Sequence, residues 1–320
     1  MRVFRGFHRP VSRRPAVVSI GNFDGVHRGH AALIAELVSA ARLTDRAAVV
    51  MTFEPHPREF FSPSAAPARL STLREKLIAL FALGVDEVSV VHFNAAFAGY
   101  SMSRFAEEVL RDGLKAKEVR VGHDFRFGAE RAGDCESLAR EGERLGFSVR
   151  AIPKICLSDV RVSSSAVRAA LKAGDLAWAE TLLGRPYSVS GRVGRGQRLG
   201  RSLGFATANI VLRHIPLPLS GVFVALVRLP DGSLREAVVN VGVRPTLGAA
   251  ARPLLEAHLI DFQGDLYGVL LTVEFIQKLR EEMKFSDLAA LKARIAQDVC
   301  HARDFFAAKR YLPTQDACRP

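Results

Sequence analysis

The first 180 or so residues alternate short, unbroken apolar runs with longer amphipathic ones, and this pattern constrains the fold more than any other feature. The runs "AVVSI" (16–20), "AAVVMTF" (47–53) and "DEVSVVHF" (86–93) lack the polar alternation of a half-exposed strand. They read as strands buried on both faces. The stretches between them repeat at helical spacing. "HAALIAELVSAARLT" (30–44) puts Leu33, Ile34, Leu37, Val38 and Ala41 on one side, and "TLREKLIALFALG" (72–84) is a helix stopped by Gly84. "SRFAEEVLRDGL" (103–114) and "CESLAREGERLGF" (135–147) are further helices, and "EVRVGHDF" (118–125) and "SVRAIPKI" (148–155) further strands. "SSSAVRAALKAGDLAWAETLLG" (163–184) gives two short helices, and the basic start of the chain reads as a first strand and a loop. Strand–helix alternation of this kind predicts an α/β doubly wound, Rossmann-like parallel sheet.

After Gly184 the pattern changes. "GVFVALVRLPDGSLREAVVNVG" (221–242) is a hairpin around a Pro-Asp-Gly turn, and "PLLEAHLIDF" (253–262) and "VLLTVEFIQKL" (269–279) are strands. "FSDLAALKARIAQDVCHARDFFAAK" (285–309) is a helix with Ser286 as its expected N-cap. Several strands with short turns and one late helix predict a small β-barrel domain with a C-terminal helix. The expected domains are 1–184 and 185–320.

A chain of 320 residues, 48% of them hydrophobic, can bury two cores. Its net charge of +12 favours anionic partners without choosing among nucleotides, phosphorylated metabolites and nucleic acid. No basic recognition helix or aromatic RNA-binding strand is present, so nucleic acid is not an expected partner. No apolar run reaches the length of a membrane span, and the basic start lacks the apolar core of a secretory signal. Cys135, Cys156, Cys300 and Cys318 show no C-x-x-C spacing, which reads as a reduced, cytoplasmic chain with no zinc site. Nothing in the sequence gives an oligomeric state.

"SIGNFDGVHRGH" (19–30) places His27 and His30 three residues apart, directly after a strand and at the start of a helix. Three chemistries compete: a metal pair, a phosphate site and an inert loop. Zinc peptidases space two histidines at i and i+4 around a glutamate, whereas here Gly29 intervenes and no carboxylate does. A helix N-terminus is a ready phosphate site, and Gly29 leaves the backbone open to a bulky ligand. The strand–turn–helix setting therefore favours phosphate.

The segment 21–30 resembles the H-x-G-H signature of nucleotidylyltransferases. In its longer form it resembles the bifunctional bacterial riboflavin kinase/FAD synthetase family. "FEPHPREFF" (53–61), "VGHDFRFG" (121–128), "VSSSAVR" (162–168), "LGFATANI" (203–210), "NVGVRPT" (240–246), "LEAHLIDF" (255–262) and "DLYG" (265–268) fit that family in order, over nearly the whole chain. The resemblance implies that the first domain transfers AMP from ATP to FMN, giving FAD and pyrophosphate. It implies that His27 and His30 hold the ATP phosphates, with Gly21, Asn22, Phe23, Ser164, Ser165 and Arg168 also binding ATP. It places Pro55, His56, Pro57 and Asp124 beside the flavin. Read alone, Pro55-His56-Pro57 is a stiff turn and the serines are helix caps; at least one of Phe125 and Phe127 is expected in the core. Ser165 replaces the family's usual threonine and keeps the hydroxyl.

For the second domain the resemblance implies phosphorylation of riboflavin by ATP. The Gly- and Arg-rich stretch 191–205 is not a Walker A motif, since no Gly-Lys-Ser/Thr follows. Gly200 and Arg201 are its candidate ATP-phosphate neighbours. Thr207 and Asn209 match the family's Pro-Thr-Ala-Asn motif beside Mg²⁺, and as oxygen donors at i and i+2 on an extended segment they share a face. Ala206 stands where the family has proline, which loosens the backbone and motivates an alternative: an adenylyltransferase whose barrel is a weak kinase or flavin sensor. Glu256 matches the family's catalytic base. Inward alternation along its strand is expected to put it on one face with His258. Arg280 matches an arginine near the flavin.

Overall fold

The structure is a computed structural model and describes residues 1–8, 14–195, 205–212, 217–244 and 252–309. The chain divides into two compact units, Met1–Val167 with Leu182–Gly184, and Arg168–Thr181 with Arg185–Pro320.

The first unit holds a six-stranded sheet of β1 (Arg2–Arg5), β2 (Ala16–Ile20), β3 (Ala47–Glu54), β4 (Glu87–His92), β5 (Ala116–Gly122) and β6 (Ser148–Ile152), in the order β1-β4-β3-β2-β5-β6. Every pairing is parallel. All five residues of β2 are buried, as its unbroken apolar run requires. Two separate cores cover the two faces, one built around Val18, Met51 and Val121, the other around Val17, Val50 and Val88. The chain leaves β2 toward β3 on one side and returns to β5 on the other. The crevice beyond the carboxyl ends of β2 and β5 is therefore the switch point where ligands bind in such sheets.

The helix Arg28–Leu43 buries Leu33, Ile34, Leu37, Ala40 and Ala41. Thr72 and Glu75 form a capping box on the helix Leu73–Ala82, and Gly84 follows it at φ +90°. Two readings of the sequence need adjustment. The segment Phe105–Gly113 winds as a wider π-helix. The strand expected over 118–125 stops at Gly122, where the Phe125 N–H donates to the Gly122 carbonyl and turns the chain (2.9 Å), so His123 and Asp124 lie in a turn.

The second unit is a closed antiparallel barrel of β9 (Ser188–Gly194), β10 (Ala208–Val211), β11 (Gly221–Arg228), β12 (Leu234–Arg244), β13 (Arg252–Leu259) and β14 (Leu270–Arg280), in the order β10-β13-β12-β11-β14-β9. The two-residue ribbon of β7 (Cys156–Leu157) and β8 (Val160–Arg161) belongs to the first unit. Phe223, Ala225 and Val227 are fully buried on one face of β11. Val222, Val224 and Leu226 on its other face pack with Val299, Ala302 and Phe306 of the helix Leu288–Lys309. That helix is capped by Asp287, whose carboxylate accepts the Ala290 N–H at 2.7 Å; the Ser286 hydroxyl instead donates to Asp287. The carboxylate, one residue closer, outcompetes the expected serine, and these bonds hold its pKa below the ordinary value. Asp298, 1% exposed, takes the Arg280 guanidinium from the end of β14 (Nη2–Oδ2 2.7 Å) and ties the helix to the barrel.

Candidate functional site

The turn after β2 follows a costly path. Phe23 (φ +47°), Gly25 (φ +80°) and Val26 (φ +40°) all lie in the left-handed region, where a β-branched valine is strained. Buried contacts hold it there. The Asp24 carboxylate, 3% exposed, accepts the N–H groups of Leu70 and Ser71 at 3.1 Å, and the Gly25 N–H donates to Ser71 Oγ at 3.1 Å. Beside it Arg69 bridges Glu54 (Nη2–Oε1 2.7 Å) and Glu59. The short segment 69–71 thus links the histidine turn to the loop after β3.

This turn aims both histidines at one place. His27 is the N-cap of the helix Arg28–Leu43: its Nδ1 accepts the His30 N–H at 3.3 Å. Its proton therefore sits on Nε2. The two rings stack with centroids 3.7 Å apart, and Phe23 lies 5.1 Å from His30. Gly29 has a role beyond leaving the backbone open. A Cβ there would stand 3.2 Å from the His27 ring, so the bare glycine makes room for the imidazole. His30 Nδ1 and Asn22 Oδ1 are buried with no hydrogen-bond partner. Unpartnered buried polar atoms of this kind fit a polar ligand that supplies the missing contacts. Burial first, then the charges of His27 and Lys76, hold the His30 pKa well below the ordinary histidine value, so the ring is neutral near pH 7.

The serine segment joins this turn. Ser164 Oγ donates to the Asp24 carbonyl at 2.9 Å. The cap of the helix Ser164–Ala173 is Ser163, which accepts the Ala166 N–H at 3.2 Å, so Ser164 is free of the capping role and Ser165 is exposed. Arg168 lies further along the same helix, in the stretch that groups with the second unit. The Phe23 ring is fully buried among Ile34 and Leu37, so only its backbone is offered at the turn. His56 caps the helix Pro57–Phe61 through Nδ1 (3.1 Å from the Arg58 N), and Pro57 takes the first helical position. Asp124 sits just past the end of β5 and pairs with Arg161. Burial pushes its carboxyl up, but the Arg161 hydrogen bond and charge outweigh this and leave it below the ordinary value. Phe127 is core, and Phe125, half-buried, stacks on it at 5.7 Å.

In the barrel, Thr207 and Asn209 line a cavity of about 380 Å³ with Ala206, Leu259, Phe262, Asp265 and Tyr267. Asn209, Glu256 and Asn240 are directly opposite one another on the neighbouring strands β10, β13 and β12. Glu256 and His258 do share a face, but it is the outer one. Leu255, Ala257 and Leu259, which alternate with them, are buried and fill the barrel, whose interior is just wide enough for side chains to fill. His258 Nδ1 donates to the Ala206 carbonyl at 2.9 Å, a restraint on the residue that replaces proline. Arg280 spends its donors on Asp298 and the Glu281 carbonyl. Gly200 and Arg201 lie outside the described residues. Among the described residues, no group of three or more His, Cys, Asp or Glu side chains is placed to hold a metal ion, and no helix is long and apolar enough to cross a membrane.

The sequence reading missed Asn240, Arg161, Arg69, Thr52 and Lys76. Only Asn240 lay in a motif noted for the family; the others carry no local signal, since their partners are 10 to 37 residues away.

Residues 9–166 match the FAD synthetase family and residues 183–306 match the riboflavin kinase family. The bifunctional riboflavin kinase/FMN adenylyltransferase of Pseudomonas fluorescens is 47% identical over 305 residues, covering 95% of this chain and 97% of that one. The protein of the same name from Escherichia coli K12 is 45% identical over 310 residues, covering 96% and 98%. A crystal structure described as a macrolide-efflux protein from Streptococcus pneumoniae superposes with a TM-score of 0.81 at 26% identity, covering 94% of this chain and 99% of that one.

Proposed function

The chain belongs to the bifunctional riboflavin kinase/FMN adenylyltransferase family, and from that premise we propose how its residues divide the two reactions. The protein phosphorylates riboflavin to FMN with ATP and adenylylates FMN to FAD, releasing pyrophosphate. Residues 1–184 carry the second reaction and residues 185–320 the first.

In adenylyl transfer an FMN phosphate oxygen attacks the α-phosphorus of ATP and pyrophosphate leaves from the opposite side. Charge builds on the phosphate oxygens, so fixed N–H donors lower the barrier. His27 Nε2–H, His30 and the amides at the start of the helix Arg28–Leu43 are those donors. No covalent intermediate on the protein is needed. Gly21, Asn22, the Phe23 backbone, Ser164, Ser165 and Arg168 hold the rest of ATP. Pro55, His56, Pro57 and Asp124 border the flavin. The stacked His27–His30 pair at the start of the helix Arg28–Leu43, with His27 Nδ1 taken by its cap bond and Nε2–H left to donate, carries the reading.

In the kinase, Glu256 takes the proton of the riboflavin hydroxyl as its oxygen bonds to the γ-phosphorus of ATP and the bond to the β-phosphate oxygen breaks, releasing ADP. Thr207 and Asn209 would hold Mg²⁺, since neutral oxygen donors at a cavity wall suit a hard, oxygen-seeking ion. When bound, such an ion would supply charge neutralisation at the transferred phosphoryl group. Gly200 and Arg201 bind ATP phosphates, and Arg280, anchored on Asp298, fixes the chain beside the flavin. The weak-kinase alternative rests on Ala206, and the His258 hydrogen bond supplies a restraint of the kind the missing proline would give. The protein works in the cytoplasm on small molecules, with neither nucleic acid nor membrane as a partner.

Chromatography of riboflavin, FMN and FAD tests this division. Replacing His27 and His30 by alanine blocks FAD formation while FMN still accumulates. Glu256→Gln stops FMN formation and leaves adenylylation of supplied FMN intact. Loss of both reactions in either folded variant overturns the assignment of separate sites.

A further inference from the structure

The helix Pro57–Phe61, which carries the flavin-side loop away from β3, buries none of its side chains. Phe60 and Phe61 each meet Phe93 at a ring distance of 5.6 Å. Apolar burial therefore does little to fix where Pro55, His56 and Pro57 lie. Two carboxylates bracket these three residues. Glu54 ends β3, in register with His92 of β4, and directly precedes Pro55. Glu59 is the third residue of the short helix, and its Oε2 accepts the His56 N–H at 3.2 Å.

One guanidinium takes both carboxylates. Arg69 Nη1 and Nη2 donate to the two oxygens of Glu54 at 3.0 and 2.7 Å, and Nε and Nη2 donate to the two oxygens of Glu59. Two bidentate forks on a planar group restrict the angle as well as the distance of each partner. Since Glu54 is fixed by the sheet, the clamp fixes Glu59 relative to it, and Glu59 holds His56.

Arg69 is held in its turn. Its side chain is 12% exposed, and the two residues after it, Leu70 and Ser71, donate their N–H groups to the buried Asp24 carboxylate at 3.1 Å. Ser71 Oγ also accepts the Gly25 N–H at 3.1 Å. Three consecutive residues thus grip the turn of His27 and His30 with their backbone and hydroxyl, and the flavin-side loop with one side chain. Apolar groups of similar volume would hold the chain together as well as such an ion cluster does. What the forked guanidinium adds is a defined geometry.

We propose that Arg69 is a positioning residue for FMN in adenylyl transfer: its double fork sets the flavin-side loop at a fixed offset from the histidine turn, so that the FMN phosphate meets the α-phosphorus of ATP in line. Arg69 acts through the loop. Positive charge alone does not serve this role, because a lysine ammonium is a point charge and cannot fork onto two carboxylates. The inference rests on the placement of Pro55, His56 and Pro57 beside the flavin.

The test is Arg69→Lys, which keeps the charge, with Arg69→Gln as a second variant that removes it. Thermal melting of the full-length protein identifies the variants that are folded at the assay temperature, and riboflavin phosphorylation by the same chain is the internal reference. FAD formation is measured against FMN at saturating ATP and against ATP at saturating FMN. A misplacement of about 1 Å costs roughly a hundredfold in rate. Each folded variant is therefore expected to lose about tenfold or more in kcat/KM for FMN, with KM for ATP within about threefold of wild type. A wild-type kcat/KM for FMN in either folded variant overturns the proposal. So does a parallel rise in KM for ATP, the mark of a general disturbance of the site. His56→Ala and Pro57→Ala separate the two readings. If both leave kcat/KM for FMN at the wild-type value, the placement of the loop beside the flavin has failed. If they lower it and the Arg69 variants do not, the role of Arg69 alone is refuted.

Discussion

Gly29→Ala separates the stability of the histidine turn from its chemistry. Gly29 is the second residue of the helix Arg28–Leu43, where alanine gains at most about 1 kcal/mol of helix propensity. The added Cβ would lie 3.2 Å from Cε1 and Nδ1 of His27 and 3.4 Å from the Val162 carbonyl. Carbon contacts settle at about 3.5–4.0 Å, so the imidazole must retreat by a few tenths of an ångström. The cap bond from the His30 N–H to His27 Nδ1 is already 3.3 Å and does not survive that retreat, a loss of about 1 kcal/mol. Gain and loss nearly cancel, and the thermal midpoint of the unit stays within about 4 °C of wild type. The chemistry does not cancel. A misplacement of about 1 Å costs roughly a hundredfold in rate, so a shift of a few tenths at a ring stacked 3.7 Å from its partner costs about tenfold, or ~1.4 kcal/mol. The assay is FAD formation from supplied FMN, with FMN formation from riboflavin in the same chain as the reference. A wild-type rate of FAD formation in Gly29→Ala refutes the argument that the His27 ring is held against Gly29 at the reacting centre.

Three further outcomes are expected. Asp298→Ala leaves the nearly buried Arg280 guanidinium without its carboxylate and destabilises the barrel by about 3–5 kcal/mol, read by chemical denaturation, with FAD formation from FMN unaffected. Asp287→Ala lowers the thermal midpoint by loss of the helix cap, whereas Ser286→Ala leaves it at the wild-type value, a comparison that checks which residue caps the helix. The hydrogen bond from Arg69 holds the Glu59 carboxyl below the ordinary glutamate value despite opposing desolvation. A folded-state pKa that is depressed gives stability that is present above the unfolded value and lost as pH falls through the lowered one. Acid melts should therefore show the first unit weakening below about pH 4, and Arg69→Gln should remove that part of the pH dependence while lowering the midpoint at neutral pH.

The arrangement of elements was legible because it depends on local periodicity. The unbroken run Ala16–Ile20 had to be a strand covered on both faces, and the spacing of Leu33, Ile34 and Leu37 had to be a helix facing it. Local competition was less legible. Serine and aspartate are both good caps, and which of Ser163, Ser164 and Ser165, or of Ser286 and Asp287, wins depends on where the backbone first turns helical. The face of Glu256 was misjudged because alternation says only which residues share a side; closure of the barrel decides which side is inside.

By itself the sequence determined the two-unit order, the parallel sheet, the barrel and the strand–turn–helix setting of His27 and His30, since each follows from residue type and spacing along the chain. Only the tertiary structure decided that Asp24 is clamped by Leu70 and Ser71, that Arg69 ties Glu54 to Glu59, and that Lys76 lies buried on Thr52, which in turn bonds the Asn22 carbonyl of the histidine turn. Those partners are 10 to 47 residues apart in sequence. Their interactions exist only once packing has excluded water and brought the ends of separate strands and helices to one place.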